Sequence, residues 1–289
     1  MPTLADDALR WYAAHARDLP WRSPDATAWG VLVSEVMLQQ TPVRRVLPVW
    51  LRWQDRWPTP AALAAAPVAE AIRAWDRLGY PRRAMRLHAC ATAIVDHHGG
   101  AVPATLDALL ALPGVGAYTA RAVATFAYGQ RHPVVDTNVR RFVARCVAGA
   151  ADAGPATTAA DLAAAERLLP ADPAAAARAS AAFMELGAVV CTARDPACAD
   201  CPVRERCAWR RSGQPLPAGP TRRPQAYAGT DRQVRGRLLA VLRAATGPVP
   251  QAALDAAWQD AAQRERALAS LLADGLAVRD AAPGHFRLP

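Results

Sequence analysis

Four of the chain's six cysteines crowd into 17 residues: Cys191, Cys198, Cys201 and Cys207, in the pattern C-x6-C-x2-C-x5-C. Thiols this dense, in a chain expected to meet reducing conditions, point to a metal centre rather than to disulfides. Structural zinc is usually held by two close cysteine pairs, and only one pair is close here. Four thiolates on one compact loop suit a [4Fe–4S] cluster better. Their spacing departs from the ferredoxin patterns, so electron transfer is not the first reading. Arg194, Arg204, Arg206, Arg210 and Arg211 accompany the loop, either as a phosphate clamp stiffened by the metal or as solvated charge. Cys90 and Cys146 stand in apolar helical settings and read as core thiols.

Two carboxylates stand out. Glu35, in SEVMLQQT (34–41), is flanked by Val31, Leu32, Val36, Met37 and Leu38. Such a carboxyl is either an ordinary helix glutamate or a desolvated one. In the second case its pKa rises and it can donate a proton near neutral pH. Asp136, in HPVVDTNVRR, lies two residues before Asn138, the only asparagine. It reads as a helix N-cap, and an ionised carboxylate there can also face a developing cation. Between the two runs LPGVGAYTARAVATF (112–126), with Gly114 and Gly116 one residue apart before a helix. That arrangement turns successive backbone N–H groups outward to hold a phosphate. A helix ending just upstream makes the unit a helix–hairpin–helix, which grips the DNA backbone without reading sequence. No strand precedes it, so it is not a dinucleotide fingerprint.

The elements that must position these groups are helical. The chain has 289 residues, ample for a buried core, with 70 Ala, 34 Arg, no Lys and a net charge of +9. Ala, Leu and Arg favour helix and β-branched runs are short, so the chain is predicted to be mainly α. Pro and Gly punctuation predicts helices over residues 1–20, 29–40, 43–55, 60–66, 68–77, 82–98 and 105–111. Seven of the nine tryptophans fall in residues 1–75 and read mostly as core. Residues 213–230 read as a Pro/Gly-rich linker. Beyond it, 231–289 predicts three helices and a two-stranded tip, a small winged-helix-like unit. That unit carries eight Arg against six acids, so +7 of the net +9 lies ahead of it. A basic excess favours a polyanionic partner or simply solubility. No apolar run is long enough for a membrane helix and no secretory leader is apparent, which predicts a cytoplasmic protein.

Taken together, LPWR (19–22), SEVMLQQT (34–41), LGYPRRA (78–84), LPGVG, VVDTNV, MELGAVVC (184–191) and the cysteine spacing resemble the helix–hairpin–helix DNA glycosylases with an iron–sulfur cluster. Within that superfamily they resemble the adenine DNA glycosylase (MutY) family, in a short actinobacterial-type form. The resemblance covers about residues 4–212. It implies a cluster domain of residues 1–22 and 131–212, with Cys191, Cys198, Cys201 and Cys207 as ligands of a [4Fe–4S] cluster. It implies a six-helix barrel with the hairpin over 23–130, then the linker and the C-terminal unit. The implied reaction is hydrolytic removal of adenine mispaired with 8-oxoguanine or guanine in double-stranded DNA, by a nucleoid-associated monomer. Glu35, Asp136, Tyr118 and Asn138 would be catalytic, with Leu19, Trp21, Arg22 and Glu185 lining the base pocket. Gln40, Thr41 and Tyr80 would fill the duplex gap, and Leu112, Gly114, Val115 and Gly116 would hold the backbone. Endonuclease III, the chief rival, carries a hairpin lysine where this chain has Tyr118; a chain without lysine cannot form that Schiff base. The same scaffold also serves mismatch thymine or uracil glycosylases, and cluster with hairpin would suit a non-catalytic iron–sulfur DNA-damage-binding protein. SEVMLQQT argues against the first, and the presence of both Glu35 and Asp136 against the second. The family's usual larger C-terminal domain, which checks for 8-oxoguanine, does not fit into 59 residues.

Overall fold

A computed structural model describes residues 2–154, 156–216 and 227–289. The helices are α1 Leu4–His15, α2 Ala28–Leu38, α3 Val43–Arg56, α4 Pro60–Ala64, α5 Val68–Ala74, α6 Arg82–His98, α7 Leu106–Leu110, α8 Ala117–Phe126, α9 Thr137–Val143, α10 Ala159–Leu168, α11 Pro173–Val189, α12 Ala208–Arg211, α13 Asp231–Ala244, α14 Gln251–Asp255 and α15 Ala261–Ala273. Three short strands, β1 Val249–Pro250, β2 Val278–Arg279 and β3 His285–Arg287, form one antiparallel sheet in the order β1-β3-β2. The chain is therefore mainly α. No described helix is long and apolar enough to cross a membrane.

The chain divides into two compact units, Met1–Glu35 with Val102–Pro220, and Val36–Ala101 with Thr221–Pro289. In the first, α1, α9 and α11 pack around stacked Phe142 and Phe183, whose ring centroids are 5.4 Å apart. Ala176, Ala179 and Ala182 on α11 are fully buried. Their short side chains let neighbouring helices come close. Helix α1 opens on a Thr3–Asp6 capping box and stops at His15, short of the predicted residue 20. Residues 16–19 leave the helix because Leu19 precedes Pro20, which disfavours helical backbone, and a 3-10 turn Pro20–Arg22 follows.

In the second unit, Trp53, Trp57 and Trp75 meet edge to face, with centroids 4.7 and 5.7 Å apart. A second core joins Ile72 of α5 to Val234, Leu238 and Leu242 of α13, Leu268 and Leu271 of α15, and Phe286 of β3. The C-terminal segment thus shares its core with α5. It also holds one strand more than the sequence predicts. The Pro-flanked pair Val249–Pro250 pairs with β3, because Val249 fills the core beside Phe286. Of the predicted linker, residues 217–226 lie outside the described residues.

Candidate active site

Glu35 sits in α2 at 6% exposure, among the buried Val31, Leu32 and Ser34. Burial pushes its carboxyl up to about 7. Tyr118, on the first turn of α8, hydrogen-bonds to it and pulls the other way, as does the Arg22 charge, while the Asp136 charge raises it further. Burial and these two carboxylates hold the Tyr118 phenol well above its ordinary range, so it remains a hydrogen-bond donor. The carboxyl is thus poised to carry a proton near neutral pH.

Asp136 is the N-cap of α9 and accepts from Val139 N–H at 2.7 Å and from Asn138 Nδ2 at 2.8 Å. Burial raises its carboxyl, while those bonds favour the charged form. Cap and site residue are therefore one group. Asn138 is itself fixed from behind: its Oδ1 accepts from Arg141 at 2.9 Å. Arg141 also donates to Cys191 O at 2.7 Å and Gly187 O at 2.6 Å. Gly187 permits this approach, since a Cβ there would stand 2.5 Å from Asn138 O.

Glu185 on α11 is fully buried. Burial opposes its charge. Bidentate bonds from Arg17 at 2.6 and 2.8 Å, and one from Arg22 Nη1 at 2.8 Å, outweigh burial and hold the carboxyl at about 2. Arg17 is a site residue that the sequence motifs do not mark. Its one signal is that Arg17 and Arg22 bracket the Leu19–Pro20 break, and the LPWR motif holds only the second of them. Leu19 and Trp21 are buried at 5% and 6% and act locally as packing.

In the hairpin, Gly114 has φ +77°, a backbone region that glycine alone enters cheaply. Gly116 caps α8 without a side-chain bond, and both it and Gly114 are exposed. Leu112 and Val115 are buried, so neither side chain is presented to a ligand. In the second unit, Gln40 and Tyr80 both adopt positive φ, +54° and +47°, and Tyr80 is 46% exposed. Thr41 is buried and its hydroxyl lies 3.3 Å from Leu78 O.

Cys191, Cys198, Cys201 and Cys207 line one cavity with Phe142, Val190 and Val203. Among the described residues no three His, Cys, Asp or Glu side chains gather closely enough for a single ion. Arg145 is buried beside the cysteine thiols, 3.5 Å from Cys191 Sγ, with its guanidinium over Trp209. Donor set and apolar walls fit a thiolate-bound cluster. Cys146 is a buried thiol as its setting implies, and it also borders this cavity.

Residues 33–167 match the HhH-GPD superfamily of base excision DNA repair proteins. The chain is 59% identical over 282 residues to the adenine DNA glycosylase of Mycobacterium tuberculosis, covering 97% of this chain and 92% of that one. It is 59% identical over 284 residues to that of Mycolicibacterium smegmatis, covering 98% and 94%. A solved thermostable thymine-DNA glycosylase superposes with a TM-score of 0.65 at 26% identity, over 72% of this chain and 95% of that one. The chain belongs to the adenine DNA glycosylase family of this superfamily.

Proposed function

We propose that the protein is a monofunctional glycosylase of base excision repair, hydrolysing the N-glycosidic bond of adenine mispaired with 8-oxoguanine or guanine. The observation that carries this reading is a buried Glu35 held near pKa 7 beside Tyr118 and Asp136, in a chain with no lysine. The adenine leaves the stack, and Glu35 gives its proton to the base, which departs neutral. The sugar passes through a cationic state that the Asp136 carboxylate, whose charged form the Val139 N–H and Asn138 bonds favour against burial, stabilises until water adds and gives its proton back to Glu35. Glu185, fixed by Arg17 and Arg22, supports the base pocket. The N-terminal end of α8 and Gly114 hold the backbone, while Gln40 and Tyr80 occupy the gap and buried Thr41 braces them from behind. Cys191, Cys198, Cys201 and Cys207 hold a [4Fe–4S] cluster, which stiffens this loop. The cluster-bearing and six-helix-barrel parts follow the family's arrangement.

Single-turnover excision on duplexes holding adenine opposite 8-oxoguanine, A:G, G:T and an oxidised pyrimidine tests the reading. Alkali-dependent cleavage at adenine only is expected, with loss by about 100-fold or more in Glu35→Gln or Asp136→Asn while duplex binding persists. Cutting at G:T, or an active Glu35→Gln, would overturn it. The same protein is expected to contain iron and acid-labile sulfide, about four each per chain; stoichiometric zinc would refute the cluster.

A further inference from the structure

Helix α2 ends one residue before Gln39, and Gln40 follows in a left-handed turn. Forty residues on, Tyr80 makes a second left-handed turn after Gly79. Non-glycine residues at positive φ are strained, and such strain persists only where surroundings impose it. One side chain reaches both turns. Arg83, at the start of α6, is 6% exposed. Its Nη1 donates to Val36 O, Met37 O and Gln39 O at 2.8, 3.0 and 2.7 Å. Its Nη2 donates to Thr41 Oγ1 at 3.0 Å and Gly79 O at 3.1 Å. The guanidinium also lies over the rings of Trp75 and Tyr80, 5.2 and 5.6 Å from their centroids.

Among the described residues Arg83 forms no carboxylate pair, although it is buried. Its compensation is the carbonyl end of α2, where orphan C=O groups and the negative dipole end converge. The Thr41 hydroxyl, which accepts from Arg83, sits 3.3 Å from Leu78 O and joins the two turns directly. Elsewhere around Tyr80, Arg232 of α13 stands over the ring at 4.8 Å. A planar fork with fixed donors matches this set of carbonyls; a lysine ammonium does not.

We propose that Arg83 is a positioning residue for base extrusion: it locks the Gln40 and Tyr80 turns into one piece, so both side chains enter the duplex together. The inference rests on the proposed glycosylase function and on the placing of Gln40 and Tyr80 in the duplex gap. Arg83 touches neither the base nor Glu35's proton, so it acts on unstacking and not on bond cleavage.

The test compares wild type, Arg83→Met, Arg83→Lys and Thr41→Val on two substrates, one with adenine opposite 8-oxoguanine and one with adenine opposite an abasic analogue, where extrusion costs less. Arg83→Met is expected to lose about 30-fold in single-turnover rate on the paired substrate and less than about 3-fold on the unpaired one. The fall of rate above about pH 7 should be unchanged. Arg83→Lys should recover little, and Thr41→Val should show the same split at smaller size. A double-mutant cycle with Tyr80→Ala should be strongly non-additive. Equal losses on both substrates, additivity with Tyr80→Ala, or full activity of Arg83→Met would overturn the proposal. Should Arg83→Met fail to fold, Thr41→Val decides by the same split. A wild type that leaves adenine intact on both duplexes would instead refute the glycosylase function.

Discussion

In the proposed reaction Glu35 acts in the form that folding prefers. Its value in the folded chain, about 7, lies above the ordinary 4.5. Its contribution to stability is whole below the lower value and is lost as the pH rises through the upper one. The ionised carboxylate then costs the native state on the order of 3 kcal/mol. Glu35→Gln keeps an acceptor for Tyr118 and removes that cost. It is expected to inactivate the enzyme yet raise its melting temperature at pH 8.5, the gain shrinking as the pH falls towards 4.5. Thermal melts across pH check this, and a Glu35→Gln chain no more stable than wild type at pH 8.5 would contradict it. Such a trade of stability against activity is expected where a carboxyl is buried for chemistry.

At the scale of elements, the position of Asp136 depends on how closely α9 and α11 approach. Gly187 on α11 leaves room for the α9 backbone only because it lacks a side chain. Gly187→Ala must push the helices apart or bend them, at about 1–3 kcal/mol by analogy with overpacked cores. It is also expected to lower excision beyond what lost folding explains, because Asn138 and Asp136 move with α9. Denaturant melts and single-turnover rates on the folded fraction check this; unchanged rates would show that Asp136 tolerates the shift. Most helices were legible in the sequence, because Pro and Gly mark their ends and Asp136 the start of α9, while the caps Thr3 and Thr105 show only in the structure. The break after His15 and strand β1 were not, since Pro20 acts on its predecessor and β1 exists only through β3. Glu35 and Asp136 were visible as residue types in context. Arg17 and Arg83 were not, because their partners lie 168 residues away in Glu185 and up to 47 away in α2.

At the scale of the molecule, residues 231–289 form part of a core rather than an appendage. Ile72 of α5 is wholly buried with Val234, Leu238 and Leu242. Arg235 and Arg82 both pair with Asp274, and Arg73 donates to Ala245 O at 3.0 Å. A chain ending at residue 216 uncovers Ile72 and leaves those groups unmatched. It should melt lower by about 10 °C or more and bind a hydrophobic dye. Calorimetry on both chains measures this, and equal melting temperatures would refute the shared core.

Both units are assembled from separated stretches of chain, and this sets an order during synthesis. The segment 36–101 leaves the ribosome early, but α13, α15 and β3, which finish its core, are the last to be made. Until then the face around Ile72 has nothing to bury it. The first unit, by contrast, can close once α11 follows α1, before the tail exists. Released chains ending at residue 216 should thus protect the Phe142–Phe183 core from protease while 36–101 remains susceptible. A late stop codon would leave Glu35 and Asp136 folded on a protein whose other unit is open to proteolysis.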